Sequence, residues 1–211
     1  RKYPIFNNAY MMTGSHHLYN YLPTKHEKWL TMIKQEIIDS GLIVDILNAK
    51  TMEDVFRLLQ GCSFLGSFLA YQYTIDMNYS PYINFSENDF VKAGIGAIRG
   101  IKKCFLCYGN KCEDAIWYVK EHFNDLQKRY GYTSFHPLLG HEPTLIDLQN
   151  CFCETDKYLR AKMPELRIGN VRIKQKYMPH TDPIQFFFPP KWNIVEMYKY
   201  KPIVVPTLFD L

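Results

Sequence analysis

The sequence lacks the features that would place the protein in a membrane or on a secretory route. No apolar run reaches the roughly 18 residues that a membrane span needs, and no secretory leader is visible. Internal repeats and low-complexity segments are also missing, which argues against a repeat array. We therefore expect an ordered, cytoplasmic protein with no membrane partner.

A strong excess of charge is lacking as well. The 211 residues carry a formal net charge of only +4, with an isoelectric point near 8.6. This lies below the value of about 9 that marks a strongly basic nucleic-acid-binding domain. Any contact with nucleic acid should therefore depend on local clusters of basic residues rather than on the total charge.

Cysteines are few, and three of them raise the question of a metal site. Cys104, Cys107 and Cys112 form a C-x2-C-x4-C pattern, which resembles the iron–sulfur loop of some base-excision enzymes. That loop has a wider first spacing, and Cys104 and Cys107 are expected on one helix. We favour reduced, buried thiols over a cluster or a zinc site, and we predict no metal and no cofactor.

Apolar residues are abundant and recur with helical spacing. They make up 47% of the chain, which is enough for one sizeable core. We predict a mainly α protein that forms a single unit over residues 1–211. Seven of the 12 prolines fall in 164–211, so this tail is expected to be irregular, with extended segments or a small sheet. The expected helices are 25–39, 51–60, 67–78, 90–107, 111–129 and 143–161.

A glycine turn before the 67–78 helix suggests a helix-hairpin-helix element at about 60–72. Such elements turn exposed backbone N–H groups toward a DNA phosphate, and the next helix adds its positive N-terminal end. Ala70 lies four residues after Gly66, where the two helices would pack, but Phe64 occupies the position of the usual first glycine. We predict that the turn 63–67 contacts DNA through Ser63, Gly66 and Ser67.

Asp89 follows 23 residues after Gly66, directly before the expected helix at Phe90. A carboxylate in that place can stabilise the positive charge that develops on a sugar when its base departs. The alternative is an ordinary helix cap, either alone or in a capping box with Ser86. Strand-cutting glycosylases carry a Lys where this chain has Phe68, so an enzyme of this type should leave an abasic site.

Other polar and basic residues are candidates for contacts with the base and the backbone. For the predicted base pocket the alternatives are a surface loop and a buried network that braces Asp89 or Arg99. For the predicted phosphate contacts the alternative is a solvated basic surface. The pocket candidates are Asn8, Tyr10, Tyr71, Gln72, Asn88, Gln149, Asn150 and Glu154, and the phosphate candidates are Arg99, Lys102, Lys103, Arg172 and Lys174.

Several segments of the sequence resemble the alpha-glutamyl/putrescinyl thymine pyrophosphorylase family. The resemblance covers about residues 5–178, and two long motifs carry most of it. It implies a divergent branch of the helix-hairpin-helix DNA glycosylase fold, associated with hypermodified pyrimidines of phage type. The motifs lie at 8–10 (Asn-Ala-Tyr), 68–72 (Phe-Leu-Ala-Tyr-Gln), 87–105 (from Glu-Asn-Asp-Phe-Val to Cys-Phe), 146–160 (from Ile-Asp to Arg) and 172–175 (Arg-Ile-Lys-Gln).

Together these features predict a monomeric DNA glycosylase of helix-hairpin-helix type. It would flip a bulky modified pyrimidine out of the stack, for instance glucosylated hydroxymethylcytosine or a hypermodified thymine, and excise it with Asp89 as the key carboxylate. One alternative is a transferase that replaces pyrophosphate on hydroxymethyluracil in DNA with an amino acid or a polyamine. Another is a non-catalytic DNA-binding module that uses only the hairpin.

Overall fold

The structure, a computed structural model, describes residues 13–134, 141–169 and 188–192, and within these ranges it is helical with no strand. The predicted mainly α fold is confirmed. No helix in the described ranges is long and apolar enough to cross a membrane. The helices are α1 (Lys25–Met32, continued by a π-helix over Ile33–Asp39), α2 (Leu42–Asn48), α3 (Met52–Gln60), α4 (Ser67–Asn78), α5 (Ile95–Cys104), α6 (Cys112–Glu121), α7 (Phe123–Arg129) and α8 (Leu145–Lys162).

Most of the predicted helices form where the sequence places their caps. Thr24 and Glu27, Thr51 and Asp54, and Thr144 and Asp147 each make a capping box, which satisfies backbone N–H groups that a helix start leaves without a partner. These boxes fix the starts of α1, α3 and α8. The short helix α2 was not predicted, and His122 divides the expected 111–129 helix into α6 and α7.

The prediction of one helix over 90–107 is wrong at both ends. Residues 90–94 are not helical, α5 starts only at Ile95, and it ends at Cys104. Cys107 therefore lies in the following loop, and the two cysteines do not share a helix. All six thiols are free. Most of the predicted tail over 164–211 lies outside the described residues.

Helices α5 and α8 pack so closely that their backbones meet at Gly100. A Cβ added to Gly100 would lie 2.0 Å from the carbonyl oxygen of Phe152. At Gly96, one turn earlier, an added Cβ would lie 2.5 Å from the Cys153 Sγ. The sequence predicts that the glycines in this segment permit a close approach, and the structure identifies α8 as the approaching element.

A buried ion cluster joins the same two helices. The Lys103 ammonium from α5 contacts the Asp156 carboxylate of α8 at 2.6 Å, and the Arg160 guanidinium contacts the other oxygen of Asp156 at 3.1 Å. The three side chains are only 2%, 1% and 7% exposed. Because water is nearly excluded, the Asp156 carboxylate stabilises both cations through direct contact.

The loop between α3 and α4 bends at Phe64, which adopts a left-handed backbone with φ of 66°. This is the position where the helix-hairpin-helix pattern has its first glycine. A phenylalanine tolerates the conformation here because its ring is buried and stacks on Trp29 at a centroid distance of 5.3 Å. Residues 60–72 thus form two helices joined by a tight loop, as predicted.

The Glu36 carboxylate fastens this loop to the π-helix that follows α1. It accepts hydrogen bonds from the Ser63 N–H and from the Tyr19 hydroxyl, both at 2.6 Å. Burial alone would raise the pKa of Glu36, but these hydrogen bonds outweigh it and hold the pKa below its ordinary value. Stability from this group is therefore present above the ordinary Glu pKa and is lost as the pH falls through the depressed value.

We expect the Glu36→Gln variant to lose about 1 to 2 kcal/mol of unfolding free energy at neutral pH. Glutamine keeps the size of the side chain, but it removes the charge that both donors contact. The difference from wild type should shrink below the ordinary pKa of Glu, where the wild-type carboxyl is also becoming protonated. Urea unfolding at pH 7 and at acidic pH measures this, and an equal loss at both would contradict the role of the charge.

Candidate nucleic-acid interface

The segment 85–94 runs back along α4, from the C-terminal end of the helix to its start. At one end, the Asn78 side chain pairs with the backbone of Phe85 through two hydrogen bonds of 2.8 and 3.1 Å. Farther along, the Tyr71 hydroxyl donates to the Phe90 carbonyl at 3.5 Å. At the other end, the Phe68 ring lies against Gly94, 3.3 Å from the position of an added Cβ. The start of α5 therefore lies directly beside the start of α4.

Three buried or half-buried side chains hold this segment in place, two from other helices and one from the segment itself. The Gln149 amide oxygen of α8 accepts from the Gly94 N–H at 3.0 Å, and the Glu113 carboxylate of α6 accepts from the Ala93 N–H at 3.0 Å. The Asn88 amide oxygen in turn accepts from the Leu145 N–H at the start of α8, at 3.2 Å. The start of α5 is thus a braced position.

Two helix starts consequently lie side by side at one surface. Helix α4 follows Gly66 and helix α5 follows Gly94, and neither start has a side-chain cap. Each carries the partial positive charge of a helix N-terminus. Phe68 and Ile95, the second and first residues of these helices, are 45% and 69% exposed although both are large and apolar. Free backbone N–H groups at a helix start can bind a phosphate, and exposed apolar side chains beside them can insert between the bases of distorted DNA.

Asp89 lies in the braced segment but not at a helix start. Its backbone N–H bonds the Ser86 carbonyl at 3.3 Å in a turn, and its side chain is exposed six residues before Ile95. The prediction that Asp89 directly precedes a helix is therefore wrong, because the chain stays extended through Gly94. Within the described residues its carboxylate makes no hydrogen bond or ion pair, which leaves it available to a ligand.

The comparisons with known proteins give one match. The family model described as the helical domain of 5-hmdU DNA kinase matches residues 1–168. The chain belongs to this family. The match links it to the modification of hydroxymethyluracil in DNA and to an enzyme that acts on modified DNA bases. No curated protein and no solved structure matches the chain.

Membership of the 5-hmdU DNA kinase helical-domain family refines the expectations drawn from the sequence. Modified pyrimidines and a DNA substrate fit the family, and so does the helical fold. The resemblance to the thymine pyrophosphorylase family named hydroxymethyluracil only in its transferase alternative, and the match is to the helical domain of a kinase that acts on this base in DNA. Excision of the base gains no support from it, and the transferase alternative is the closer of the two.

In this helical domain, the residues proposed for the turn differ in accessibility. Gly66 is exposed and Ser67 is half-buried. Ser63 is 9% exposed, and its N–H is occupied by Glu36. A phosphate contact from this loop is therefore open to Gly66 and Ser67, whereas Ser63 acts within the fold.

The basic residues proposed on α5 separate in the same way. Lys102 is exposed and Arg99 is half-buried. Lys103 is held inside by Asp156, so its ammonium cannot reach a phosphate in this structure. Arg172 and Lys174 lie outside the described residues.

The residues proposed for the base pocket do not gather in one place. Tyr71 and Gln149 are 1% and 2% exposed and belong to the packed interior. The amide oxygens of Asn88 and Gln149 accept from the backbone N–H groups of Leu145 and Gly94, so these two residues brace the main chain and not Asp89 or Arg99. Gln72 is half-buried, Asn150 and Glu154 are exposed on α8, and Asn8 and Tyr10 lie outside the described residues.

The start of α5, a candidate contact with nucleic acid, was not predicted from the sequence. A signal was available, because Gly94 precedes α5 as Gly66 precedes α4, in each case after a buried apolar residue. The expected helix over 90–107 hid this repeat of the pattern, since it placed Gly94 inside the helix.

Proposed function

We propose that this chain binds DNA that contains 5-hydroxymethyluracil and presents the base for modification at its hydroxymethyl group. The observation that carries the proposal is the pair of adjacent helix starts at Gly66 and Gly94, together with the family match. The glycosidic bond would remain intact, because the reacting atoms belong to the exocyclic group. The kinase and transferase reactions share this requirement.

Electrostatics support the pairing of this surface with a phosphate backbone. Two helix N-termini add their positive ends at one place, and the exposed Lys102 lies farther along α5. The exposed Phe68 and Ile95 would enter a gap between base pairs, since apolar side chains commonly hold open a distorted step. Access to a base inside a duplex needs such a distortion.

Asp89 would serve the hydroxymethyl group rather than the sugar. In phosphoryl transfer, an aspartate that accepts the proton of the substrate hydroxyl is a recurrent component. The hydroxymethyl oxygen would form the new bond to phosphorus of a nucleoside triphosphate, the bond to the diphosphate leaving group would break, and the proton would pass to the carboxylate. Asp89 is exposed on the braced segment, in keeping with a group that meets a substrate.

A strand-integrity assay separates modification from excision. The protein is incubated with DNA that contains hydroxymethyluracil and with ATP, and the DNA is then treated with alkali. We expect intact strands, with an altered mass of the modified nucleoside if the chain performs the transfer itself. Binding of intact DNA without a mass change would mean that this chain presents the DNA but does not perform the transfer itself. Strand breaks that appear only after alkali would mean abasic sites, and would restore the glycosylase hypothesis in place of this one.

The Ser67→Asp variant tests the interface itself. An acidic residue in the first turn of α4 suits the helix dipole, so the melting temperature should stay the same or rise. A phosphate at the same place would meet a negative charge, and we expect the affinity for hydroxymethyluracil DNA to fall about tenfold at low salt. Fluorescence anisotropy with a labelled duplex measures this.

A matched control is the Ser134→Asp variant. Ser134 is exposed in the turn after α7 and does not begin a helix, so the charge change is the same while the position differs. Its affinity for DNA should remain close to wild type. Equal losses in both variants would mean that only the total charge matters, and unchanged affinity in Ser67→Asp would remove the start of α4 from the interface.

A further inference from the structure

Trp192 lies in a slot formed by residues from three other parts of the chain. Its indole N–H donates to the Glu87 Oε2 at 2.7 Å. One face of the indole stacks on the His141 ring, with 3.7 Å between centroids and 22° between planes. The Tyr79 ring meets it edge-on at 6.1 Å and 85°. A planar ring with an N–H donor therefore fits the slot, with one face on His141 and its donor at Glu87.

The indole leaves part of this slot unsatisfied. Glu87 is only 8% exposed, and its Oε1 is buried with no hydrogen-bond partner among the described residues. The His141 Nε2 is buried and without a partner in the same way. Buried polar atoms normally find partners, since leaving them without one is costly. The unpartnered Glu87 oxygen lies in the carboxylate that accepts from the indole N–H, so the indole satisfies this carboxylate only in part.

The residues that form the slot lie within the range matched by the family model, whereas the tryptophan that fills it lies outside that range. Glu87, His141 and Tyr79 lie within the residues that the family model matches, whereas Trp192 lies beyond them. The neighbouring Lys191 holds the segment down by donating to the carbonyls of Asn78 and Phe85 at 3.1 and 3.0 Å. The slot thus belongs to the family domain, and the indole reaches it from a later segment.

We propose that Glu87, His141 and Tyr79 form a binding slot for a uracil-type base, which Trp192 occupies in its absence. This deepens the proposed function and rests on it, because it names where a flipped base would go. The N3–H of the base would donate to Glu87 as the indole does now. The base would stack on the His141 ring as the indole does now.

The same chemistry makes the slot selective. A cytosine ring has an acceptor at N3, which would face the acceptor oxygens of Glu87 and be repelled. A uracil ring that is methylated on N3 keeps its shape and its stacking faces but loses the donor. Burial, and then the charge of Glu87, raise the pKa of Tyr79 above its ordinary value, so its hydroxyl stays protonated beside the carboxylate.

The wild-type chain permits a direct test by nuclear magnetic resonance of the Trp192 indole N–H. Titration with 5-hydroxymethyl-2′-deoxyuridine should shift this resonance toward that of a solvent-exposed indole, because the base displaces it from Glu87. The N3-methylated nucleoside should leave it unchanged. If neither nucleoside moves the resonance, or if both do so equally, the slot is not a site for the imide edge.

Variants test the competition between the ring and the base. Replacing Trp192 with Phe keeps a ring against His141 but removes the N–H, and replacing it with Ala removes both. We expect Trp192→Ala to bind the nucleoside about tenfold more tightly than wild type, because an internal competitor is gone. Adding Glu87→Gln to that variant should abolish the gain. Trp117→Phe, on α6, is the control and should not change the affinity. An unchanged affinity in both Trp192 variants would overturn the proposal.

The outcomes also separate this proposal from the function on which it rests. In one outcome, the Ser67→Asp substitution lowers the affinity for hydroxymethyluracil DNA both in wild type and in Trp192→Phe, but neither protein binds the nucleoside. The slot is then rejected and the interface stands. If the nucleoside binds with the expected N3 dependence but DNA binding does not depend on Ser67, the interface is rejected and the slot stands.

Discussion

Replacing Asp156 with alanine is expected to lower the free energy of unfolding by about 3 to 5 kcal/mol. The reason is the geometry of the ion cluster between α5 and α8. Asp156 is 1% exposed and contacts Lys103 at 2.6 Å and Arg160 at 3.1 Å. Its removal takes a buried negative charge away from both cations, at a place that little water can reach. Denaturant unfolding followed by circular dichroism measures the loss.

A control on the same helix isolates the effect of burial. Glu154 and Lys157 form an exposed pair on α8, with side chains 65% and 50% exposed. Glu154→Ala should therefore change stability by less than about 0.5 kcal/mol. Similar losses in Glu154→Ala and Asp156→Ala would mean that α8 tolerates no change of charge, and that the buried cluster has no special importance.

Replacing Gly100 with alanine should also be strongly destabilising, since its neighbour is backbone. The added methyl group would lie 2.0 Å from the Phe152 carbonyl oxygen and 2.8 Å from its carbon. No rotamer change can relieve this contact, so α5 and α8 would have to separate. Overpacking typically costs about 1 to 3 kcal/mol and occasionally more, and we expect the upper end or a failure to fold. The melting temperature and the soluble yield are the measurements.

Gly96 provides a comparison within the same helix. There an added methyl group meets the Cys153 Sγ at 2.5 Å, while the Cys153 Cβ lies at 3.4 Å. Gly96→Ala should therefore be rescued in large part when Cys153 is also changed to Ala. The corresponding pair of Gly100→Ala with Phe152→Ala should show no rescue, because the clash is with the main chain. Rescue of the second pair would contradict the close approach of the two backbones.

Local rules explain which parts of the fold the sequence predicts. Thr-x-x-Asp or Thr-x-x-Glu patterns mark the starts of α1, α3 and α8, and the turn before α4 is predicted from Gly66 and the residues around it. The start of α5 escaped because it depends on tertiary contacts. Gln149 and Glu113 hold the backbone of residues 93–94 extended, whereas the local sequence favours a helix that starts at Phe90.

The candidate site is harder to predict for the same reason. Lys102 and Lys103 are adjacent and chemically alike, yet one is exposed and the other is 2% exposed beside Asp156. A step of one residue turns a helix by about 100°, so the decision rests on what packs against α5. Likewise, Asn88 and Gln149 have the composition of base-reading residues, but they bind backbone N–H groups across the fold.

The choice between excision and modification is difficult for a chemical reason. Both reactions need a flipped pyrimidine, a grip on phosphate and a nearby carboxylate. In the proposed roles, Gly66 and Asp89 would serve either reaction, so their presence does not discriminate between excision and modification. The family match favours the hydroxymethyl group as the reacting centre.

The left-handed bend at Phe64 would couple the proposed contact with DNA to the interior of the molecule. Because this ring stacks on Trp29, which is 3% exposed, the contour of the loop is set from inside the molecule. In a mutational scan that measures retention on a DNA column, a substitution that lowers retention can therefore lie at a buried residue that makes no contact with DNA.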